Sequence, residues 1–186
     1  MRIIAGEARG RTLVAPPGSG TRPTQDYVRE SLFNILSPRL PGARVLDLFA
    51  GTGALALEAL SRGAAFAVLC DRDRTALSCI QKNVTAVRAE DRCRVFPGDY
   101  AACIRSLSGK EKEGFDLVFL DPPYRMENTG EIAGLLMDAD LLLPGFLVVC
   151  EHRKGAPPAF DGRFRAADLR RYGDTEITFL SSCEGE

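Results

Sequence analysis

The 186-residue sequence contains one histidine and no tryptophan, and its six cysteines form no C-x-x-C pair. We therefore expect neither a metal site nor a dithiol redox motif, because no set of ligands has a usable spacing. A Ser–His or Cys–His nucleophile relay would depend entirely on His152, which argues against that class of enzyme. No apolar run approaches the length of a membrane span and no leader segment is recognisable, so we expect a cytoplasmic protein.

Charge is nearly balanced overall, with a formal net charge of −1, but it is unevenly distributed. Residues 1–44 contain seven arginines against three acidic residues. One interpretation is a solvated edge, and the other is an electrostatic contact for phosphate groups. The arginines that we consider for such a contact are Arg2, Arg9, Arg11, Arg22 and Arg29.

Strand and helix patterns alternate along the middle of the chain. Apolar runs predict strands at 44–49, 66–71, 93–99, 115–121 and 145–152, and helical spacing predicts helices at 54–63, 74–84, 100–107 and 131–142. This alternation indicates a parallel sheet that is covered by helices on both faces. The sequence therefore predicts an α/β fold.

The two ends of the chain depart from this alternation. Residues 1–17 predict a short β-hairpin around a glycine-rich turn, and apolar spacing predicts a helix that ends before Pro38. Near the other end, strand-like runs at 164–172 and 175–180 flank Gly173-Asp174, which is a hairpin signal. We expect seven strands in a single domain over 1–186, with an extension at 1–42 and a core at 43–182.

Residues suited to ligand binding follow the predicted strands. In DLFAGTGA (47–54), Gly51 and Gly53 permit a tight turn and a close approach of ligand to a helix N-terminus. Ligands of open α/β sheets bind beyond the carboxyl ends of the strands, so side chains there should share one site. Each aspartate alone is explained equally well as a helix cap or turn residue. The acids that end four successive strands are Asp47, Asp71, Asp99 and Asp121.

The glycine pattern is compatible with two cofactors. GTGALA (51–56) matches the G-x-G-x-x-A pattern of dinucleotide folds, with Asp71 placed as a ribose-binding acid. An acidic rim without Lys or Arg in the loop disfavours a pyrophosphate, whereas S-adenosylmethionine (SAM) carries a cationic sulfonium and an ammonium. We expect Asp47 near the methionine end of SAM, Asp71 at the ribose and Asp99 at the adenine. The other predicted cofactor-binding residues are Phe49, Ala50, Gly51, Thr52, Gly53, Arg72 and Tyr100.

The segment LDPPY (120–124) ends the fourth strand with a rigid corner, because Pro122 and Pro123 lack the N–H that sheet pairing needs. An amine on a nucleobase is a poor nucleophile, since its lone pair is delocalised into the ring. The Asp121 carboxylate and the Pro122 carbonyl can each accept a hydrogen bond from one of the two N–H groups of the amine. This orients the nitrogen lone pair toward the sulfonium. Tyr124 offers a ring for stacking to a base that is unpaired or flipped out.

DLFAGTG and DPPY together resemble the SAM-dependent methyltransferases of Rossmann-like fold that modify amino groups of nucleobases. The segments MRIIAGEARGR, RPTQDYVRESLFNIL and ALEALSRGA are more narrowly similar to the RsmD family, bacterial enzymes that methylate the N2 amine of a guanine in 16S rRNA. The resemblance extends from Arg2 to about Leu180. It implies a class I SAM-dependent fold, SAM as cofactor, and 16S rRNA as partner in the 30S subunit or an assembly intermediate.

Three alternatives to this function stay open at the level of sequence. The same fold could methylate adenine N6 or cytosine N4 in DNA, although the chain has no added target-recognition domain. An NAD(P)-linked oxidoreductase would use the glycine loop but leaves DPPY unexplained, and a binding-only protein would hold SAM without turning it over. The roles of Thr24, Asn34 and His152 also stay open.

Overall fold

A computed structural model describes residues 1–16, 23–109, 114–123, 126 and 128–183, with the backbone alone for 23–25. Its seven strands form one mixed sheet in the order β3-β2-β1-β4-β5-β7-β6. The predicted α/β fold with a seven-stranded sheet is confirmed. None of the helices in the described part of the chain is long and apolar enough to cross a membrane. The chain divides into two compact units, Met1–Tyr100 and Ala101–Glu186.

The first unit contains three parallel strands. Val45 of β1 lies beside Ala67 of β2, and Val68 of β2 lies beside Arg94 of β3. The strand β1 ends two residues before the predicted bound, because the chain turns after Asp47 and the Phe49 N–H points back to the Asp47 carboxylate at 3.4 Å. The elements of this unit are α1 (Pro23–Leu36), β1 (Arg44–Asp47), α2 (Ala54–Ser61), β2 (Phe66–Asp71), α3 (Arg74–Val87) and β3 (Cys93–Pro97).

The second unit combines a parallel and an antiparallel part. β4 pairs in parallel with β5, and β7 pairs antiparallel with both β5 and β6. The predicted hairpin at Gly173-Asp174 is confirmed, since β6 and β7 join there and Gly173 has a φ of +62°. The elements are α4 (Tyr100–Leu107), which begins at the last residue of the first unit, β4 (Phe115–Leu120), α5 (Thr129–Asp138), β5 (Leu142–Arg153), β6 (Phe164–Tyr172) and β7 (Thr175–Ser182).

The helix predicted at 131–142 is too long at its carboxyl end. α5 stops at Asp138, Asp140 takes a φ of +53°, and the Leu141 carbonyl accepts a hydrogen bond from Phe115 N–H at 2.9 Å. Leu142 then begins β5. Apolar residues at a helix end and at a strand start look alike in a sequence, so the boundary depends on this contact with β4.

The N-terminal arm, residues 1–14, is held by a buried acid on α2. The Glu58 carboxylate accepts hydrogen bonds from the Ile4 and Ala5 N–H groups at 2.7 and 3.0 Å and from Arg62 Nε at 2.7 Å. Glu58 is fully buried. The arm doubles back as predicted, but its described pairing is the single antiparallel bridge of Arg2 with Thr12 rather than two extended strands. The arm therefore owes its position to contacts with α2.

Replacing Glu58 with Ala should lower the free energy of unfolding by about 3–5 kcal/mol, because it leaves Arg62 and two backbone N–H groups without their acceptor. Chemical unfolding followed by circular dichroism measures the change. Glu90→Ala is the matched control, since Glu90 is exposed and should change stability by less than about 0.5 kcal/mol. Equal losses in the two variants would contradict the anchoring role of Glu58.

Candidate active site

The predicted glycine loop connects β1 to α2 and adopts a conformation that requires glycine. Gly51 and Gly53 have φ values of +56° and +77°. The Ala50 N–H donates to the Cys70 carbonyl at 2.9 Å, which ties the loop to the end of β2. Gly53 starts α2 as its N-cap residue. The loop therefore places a helix N-terminus directly after β1, as the sequence predicts.

The two glycines serve different purposes. A Cβ at Gly53 would lie 2.9 Å from Leu69 Cδ2, so this glycine allows α2 to pack against β2. A Cβ at Gly51 would meet no described atom closer than 4.0 Å. The backbone at Gly51 is therefore open to the approach of a ligand, whereas Gly53 is needed by the fold itself.

Asp71, at the end of β2, holds this loop in place. Its carboxylate accepts the Gly51 N–H at 2.8 Å through one oxygen and the Asp73 N–H at 2.9 Å through the other. Each carboxylate oxygen can accept a second hydrogen bond, so Asp71 can still receive a ligand hydroxyl. Asp71 therefore has a structural role in the loop and keeps lone pairs for the ribose hydroxyl that the sequence predicts.

The remaining predicted cofactor residues lie at the ends of β1, β2 and β3 or just after them. Asp47 is buried at the end of β1, whereas Asp99 and Arg72 are exposed. The rings of Phe49 and Tyr100 lie 5.8 Å apart between centroids, with an angle of 44° between their planes. Both rings are partly exposed, so they offer an apolar surface that a planar ligand could contact.

Asn83 supports the glycine loop, although it is not among the site residues that the sequence patterns predict. It is fully buried on α3, and its side-chain amide donates to the carbonyls of Val14 and Thr52, both at 2.8 Å. Its oxygen accepts the Val14 N–H at 2.7 Å. Asn83 therefore joins the arm to the glycine loop. The sequence did contain a signal for this role, because Asn83 is a polar amide next to Val84 on the apolar face of the predicted helix.

The acidic corner follows β4 in the second unit. Pro122 is buried, Pro123 is exposed, and the Pro123 carbonyl accepts the Met126 N–H at 2.9 Å. Asp121 is exposed at the surface of the corner, yet the surrounding protein removes enough water from its carboxyl group to raise its pKa to about 6. Tyr124 lies outside the described residues.

A second acid, Glu151, accompanies Asp121 at the end of the neighbouring strand β5. Leu120, the last residue of β4, pairs with Cys150, and each of the two is followed in the chain by an acid. Burial, together with the negative charge of Asp121, raises the pKa of Glu151 to about 8. These raised pKa values favour an ionised Asp121 beside a protonated Glu151 near neutral pH. Sequence reasoning missed Glu151 because it lies within the predicted strand 145–152, where no motif marks it.

The arginines of the arm differ in accessibility. Arg2, Arg9 and Arg11 are exposed, as a contact with phosphate requires. Arg29 is buried, and its guanidinium donates to the Arg2 carbonyl and to Asp26. This position does not fit the prediction that Arg29 binds RNA, because its charge is used inside the protein. Arg22 lies outside the described residues.

Comparisons of the sequence with known proteins identify its family. A family model described as conserved hypothetical protein 95 matches residues 1–181. Ribosomal RNA small subunit methyltransferase D of Escherichia coli strain K12 is 41% identical over 151 residues, which are 81% of this chain and 74% of the relative. The chain belongs to the RsmD family. The candidate rRNA methyltransferase YlbH of Bacillus subtilis is 38% identical over 152 residues, 82% of each chain.

Solved structures of other proteins have the same fold as this chain of the RsmD family. The candidate methyltransferase yhhF of Escherichia coli superposes with a TM-score of 0.84 at 34% identity, covering 98% of this chain and 97% of that one. A candidate methylase of Haemophilus influenzae gives 0.80 at 29% identity, with 99% of both chains covered. A methyltransferase of Podospora anserina in its SAH-bound form superposes with a TM-score of 0.67 at 16% identity, covering 84% of this chain and 78% of that one. This similarity shows a shared fold.

The raised pKa values of Asp121 and Glu151 predict how the stability of the folded protein depends on pH. The folded protein binds protons at Asp121 and Glu151 more tightly than the unfolded chain, whose carboxyl groups titrate near pH 4. The stability contribution of the pair is therefore fully present below about pH 4 and is lost as pH rises through about 6 and then about 8. Glu151→Gln should raise the melting temperature relative to the natural protein at pH 9, and the difference should shrink toward pH 4.

Scanning calorimetry across this pH range measures the difference, with Glu90→Gln as the control that changes an exposed acid of the first unit. A gap of the same size at every pH, or a natural protein that is the more stable one at pH 9, would contradict the proposed state of the pair.

Proposed function

We propose that this protein transfers the methyl group of SAM to the N2 amine of a guanine in small-subunit rRNA. The observation that carries the proposal is the acidic corner at the end of β4, where Asp121 and the rigid Pro122 carbonyl follow a buried strand. The name of the Escherichia coli relative, a small-subunit rRNA methyltransferase, supports the class of substrate. The proposal therefore combines a site suited to an amine with a family that acts on rRNA.

The residues of the glycine loop fit SAM. Gly51 leaves an open backbone, Asp71 has lone pairs left for ribose hydroxyls, and the Phe49 and Tyr100 rings suit contact with adenine. Asp47 and Asp99 add negative charge, which favours the cationic groups of SAM. When bound, SAM supplies a methyl group on a positively charged sulfur, which is already a strong electrophile. The chain is then needed mainly to bind and orient the two reactants.

The acidic corner would orient the nucleophile. The Asp121 carboxylate and the Pro122 carbonyl accept the two N–H bonds of the amine, so the nitrogen lone pair is directed away from both. As the nitrogen gains the methyl group it must lose a proton, and a carboxylate whose pKa is raised to about 6 is a better acceptor for it than an ordinary aspartate. Catalysis by this corner therefore depends mostly on geometry.

The substrate would be a ribosomal particle rather than naked RNA. A net charge of −1 gives little attraction to a long RNA, and the exposed Arg2, Arg9 and Arg11 are the arm's described cations for phosphate. A particle adds a fixed RNA shape and protein contacts. We therefore place the target in the 30S subunit or an assembly intermediate.

The direct test is transfer of labelled methyl from SAM to 30S subunits, free 16S rRNA and duplex DNA, followed by nucleoside analysis. We expect N2-methylguanosine from 30S subunits that lack this modification. Label in N6-methyladenine or N4-methylcytosine of DNA would favour the alternative DNA methyltransferase. SAM binding with no transfer to any of the three would indicate a binding-only protein.

Asp121→Ala should reduce methyl transfer at least about a hundredfold, because it removes an acceptor aimed at the reacting amine. SAM binding, measured by calorimetry, should stay close to that of the natural protein, since the proposed SAM residues belong to the first unit. Glu90→Ala is the control for loss of an exposed carboxylate. Full activity in Asp121→Ala would overturn the amine-positioning mechanism.

Gly51→Ala should weaken SAM binding at least about tenfold, which corresponds to about 1.4 kcal/mol. The added methyl group enters the open side of the loop, where we expect the ligand to approach. Gly42→Ala is the matched control: Gly42 also has positive φ, at +76°, and a Cβ there meets no described atom within 4 Å. If Gly51→Ala binds SAM as tightly as Gly42→Ala does, Gly51 does not face the ligand and this part of the proposed site is wrong.

A further inference from the structure

Asp121 and Glu151 form an acid pair, because each follows a residue of the last aligned pair of β4 and β5. In parallel strands, side chains of paired residues point to the same face and neighbouring strands lie about 4.8 Å apart. Because Leu120 pairs with Cys150, the register brings Asp121 beside Glu151. The charge of Asp121 acts on Glu151, which agrees with this placement. The corner therefore carries two acids, while the amine-positioning mechanism uses one.

No group of the described residues forms a hydrogen bond or an ion pair with the carboxyl groups of Asp121 and Glu151. Both side chains are at least partly exposed. On β7, the residue opposite Glu151 is the apolar Ile177. Glu151 is thus a partly desolvated acid with unused hydrogen-bonding capacity beside the proposed amine site.

His152 and Glu176 lie on the opposite face of the sheet from Glu151. Side chains alternate along a strand, so His152 points away from Glu151. His152 Nε2 is 2.8 Å from Thr178 Oγ1, and Glu176 is the β7 residue paired with His152. Charged residues on the face of Glu151 include Arg153, two residues further along β5, and Arg170, which pairs with Ile177. The charge that raises the pKa of Glu151 is that of Asp121.

We propose that Glu151 binds the ring edge next to the methylated amine, the N1–H and O6 groups of the target guanine. This inference rests on the proposed function and assigns a residue that determines base specificity. With the amine held by Asp121, the adjacent atom of guanine is N1, which carries a hydrogen. In adenine N6 and cytosine N4 substrates, the ring nitrogen next to the amine is an acceptor instead. An acid at this position can therefore distinguish the bases.

A protonated Glu151 is the form that matches this edge best. A neutral carboxyl group has one O–H donor and one carbonyl acceptor, while the guanine edge presents the O6 acceptor and the N1–H donor. Two hydrogen bonds can therefore form together. The raised pKa of Glu151 means that this form is present near neutral pH in the free protein. Adenine, with one ring nitrogen in reach and no oxygen, would form one of these two bonds.

A glutamine side chain offers the same pattern, because its amide has an N–H donor and a carbonyl acceptor. Glu151→Gln should therefore keep kcat/KM for the 30S subunit within about threefold of the natural protein, while Glu151→Ala should lower it about 10- to 100-fold by leaving two base groups unpaired. SAM affinity and the melting temperature are measured for each variant. Glu90→Gln and Glu90→Ala are the matched controls.

The dependence of kcat/KM on pH gives a second readout, which a purely structural role would not change. In the natural protein we expect activity to rise as Asp121 loses its proton and to fall as Glu151 loses its own. Glu151→Gln should retain the rise and lose the fall, since the amide does not titrate.

The outcomes separate this inference from the proposed function. If the natural protein makes N2-methylguanosine and Glu151→Ala is equally active, the assignment of Glu151 is wrong and the proposed function stands. If Glu151→Gln is as impaired as Glu151→Ala while binding SAM normally, the proposed pair of hydrogen bonds, one donated and one accepted by residue 151, is wrong. If the natural protein makes no N2-methylguanosine, both proposals fail together.

Discussion

Parallel pairing of neighbouring strands brings the residues that follow those strands to one edge, and both parts of the candidate site depend on this constraint. In the first unit, Asp71 and Pro97 end β2 and β3 as a pair, and Asp47 ends β1 opposite Leu69, two residues before the end of β2, so the loops after these strands leave the sheet at the same edge. In the second unit, the alignment of Leu120 with Cys150 places two acids side by side. A shift in register by one residue would turn these side chains to the other face.

The glycine loop is already held by the protein before a ligand arrives. Gly51 is bound to Asp71, Ala50 to the Cys70 carbonyl, and Thr52 to Asn83. These bonds fix the backbone of the proposed SAM site, so its ordering would not be a cost of binding. The same Asn83 holds Val14, and Glu58 holds Ile4, so the N-terminal arm is positioned by the elements that support the loop.

Much of the fold followed from local patterns in the sequence. Continuous apolar runs marked the buried strands, glycine pairs marked the loop and the final hairpin, and their alternation indicated the sheet. The predicted residues Asp47, Asp71 and Asp121 do follow the strands that were expected. The boundary between α5 and β5 was wrong because Leu141 and Leu142 are apolar in either element, and contact with β4 decides between them.

The sequence by itself determined the element types, the glycine loop and the DPPY corner, because these depend on backbone conformations that particular residues permit. Tertiary structure alone decided which side chains meet. It placed Arg29 in the interior, joined Asn83 to the glycine loop, and set Glu151 beside Asp121. Hydrogen bonds and desolvation act between residues that are distant in the chain, so the raised pKa values of the acid pair have no signature in a local pattern.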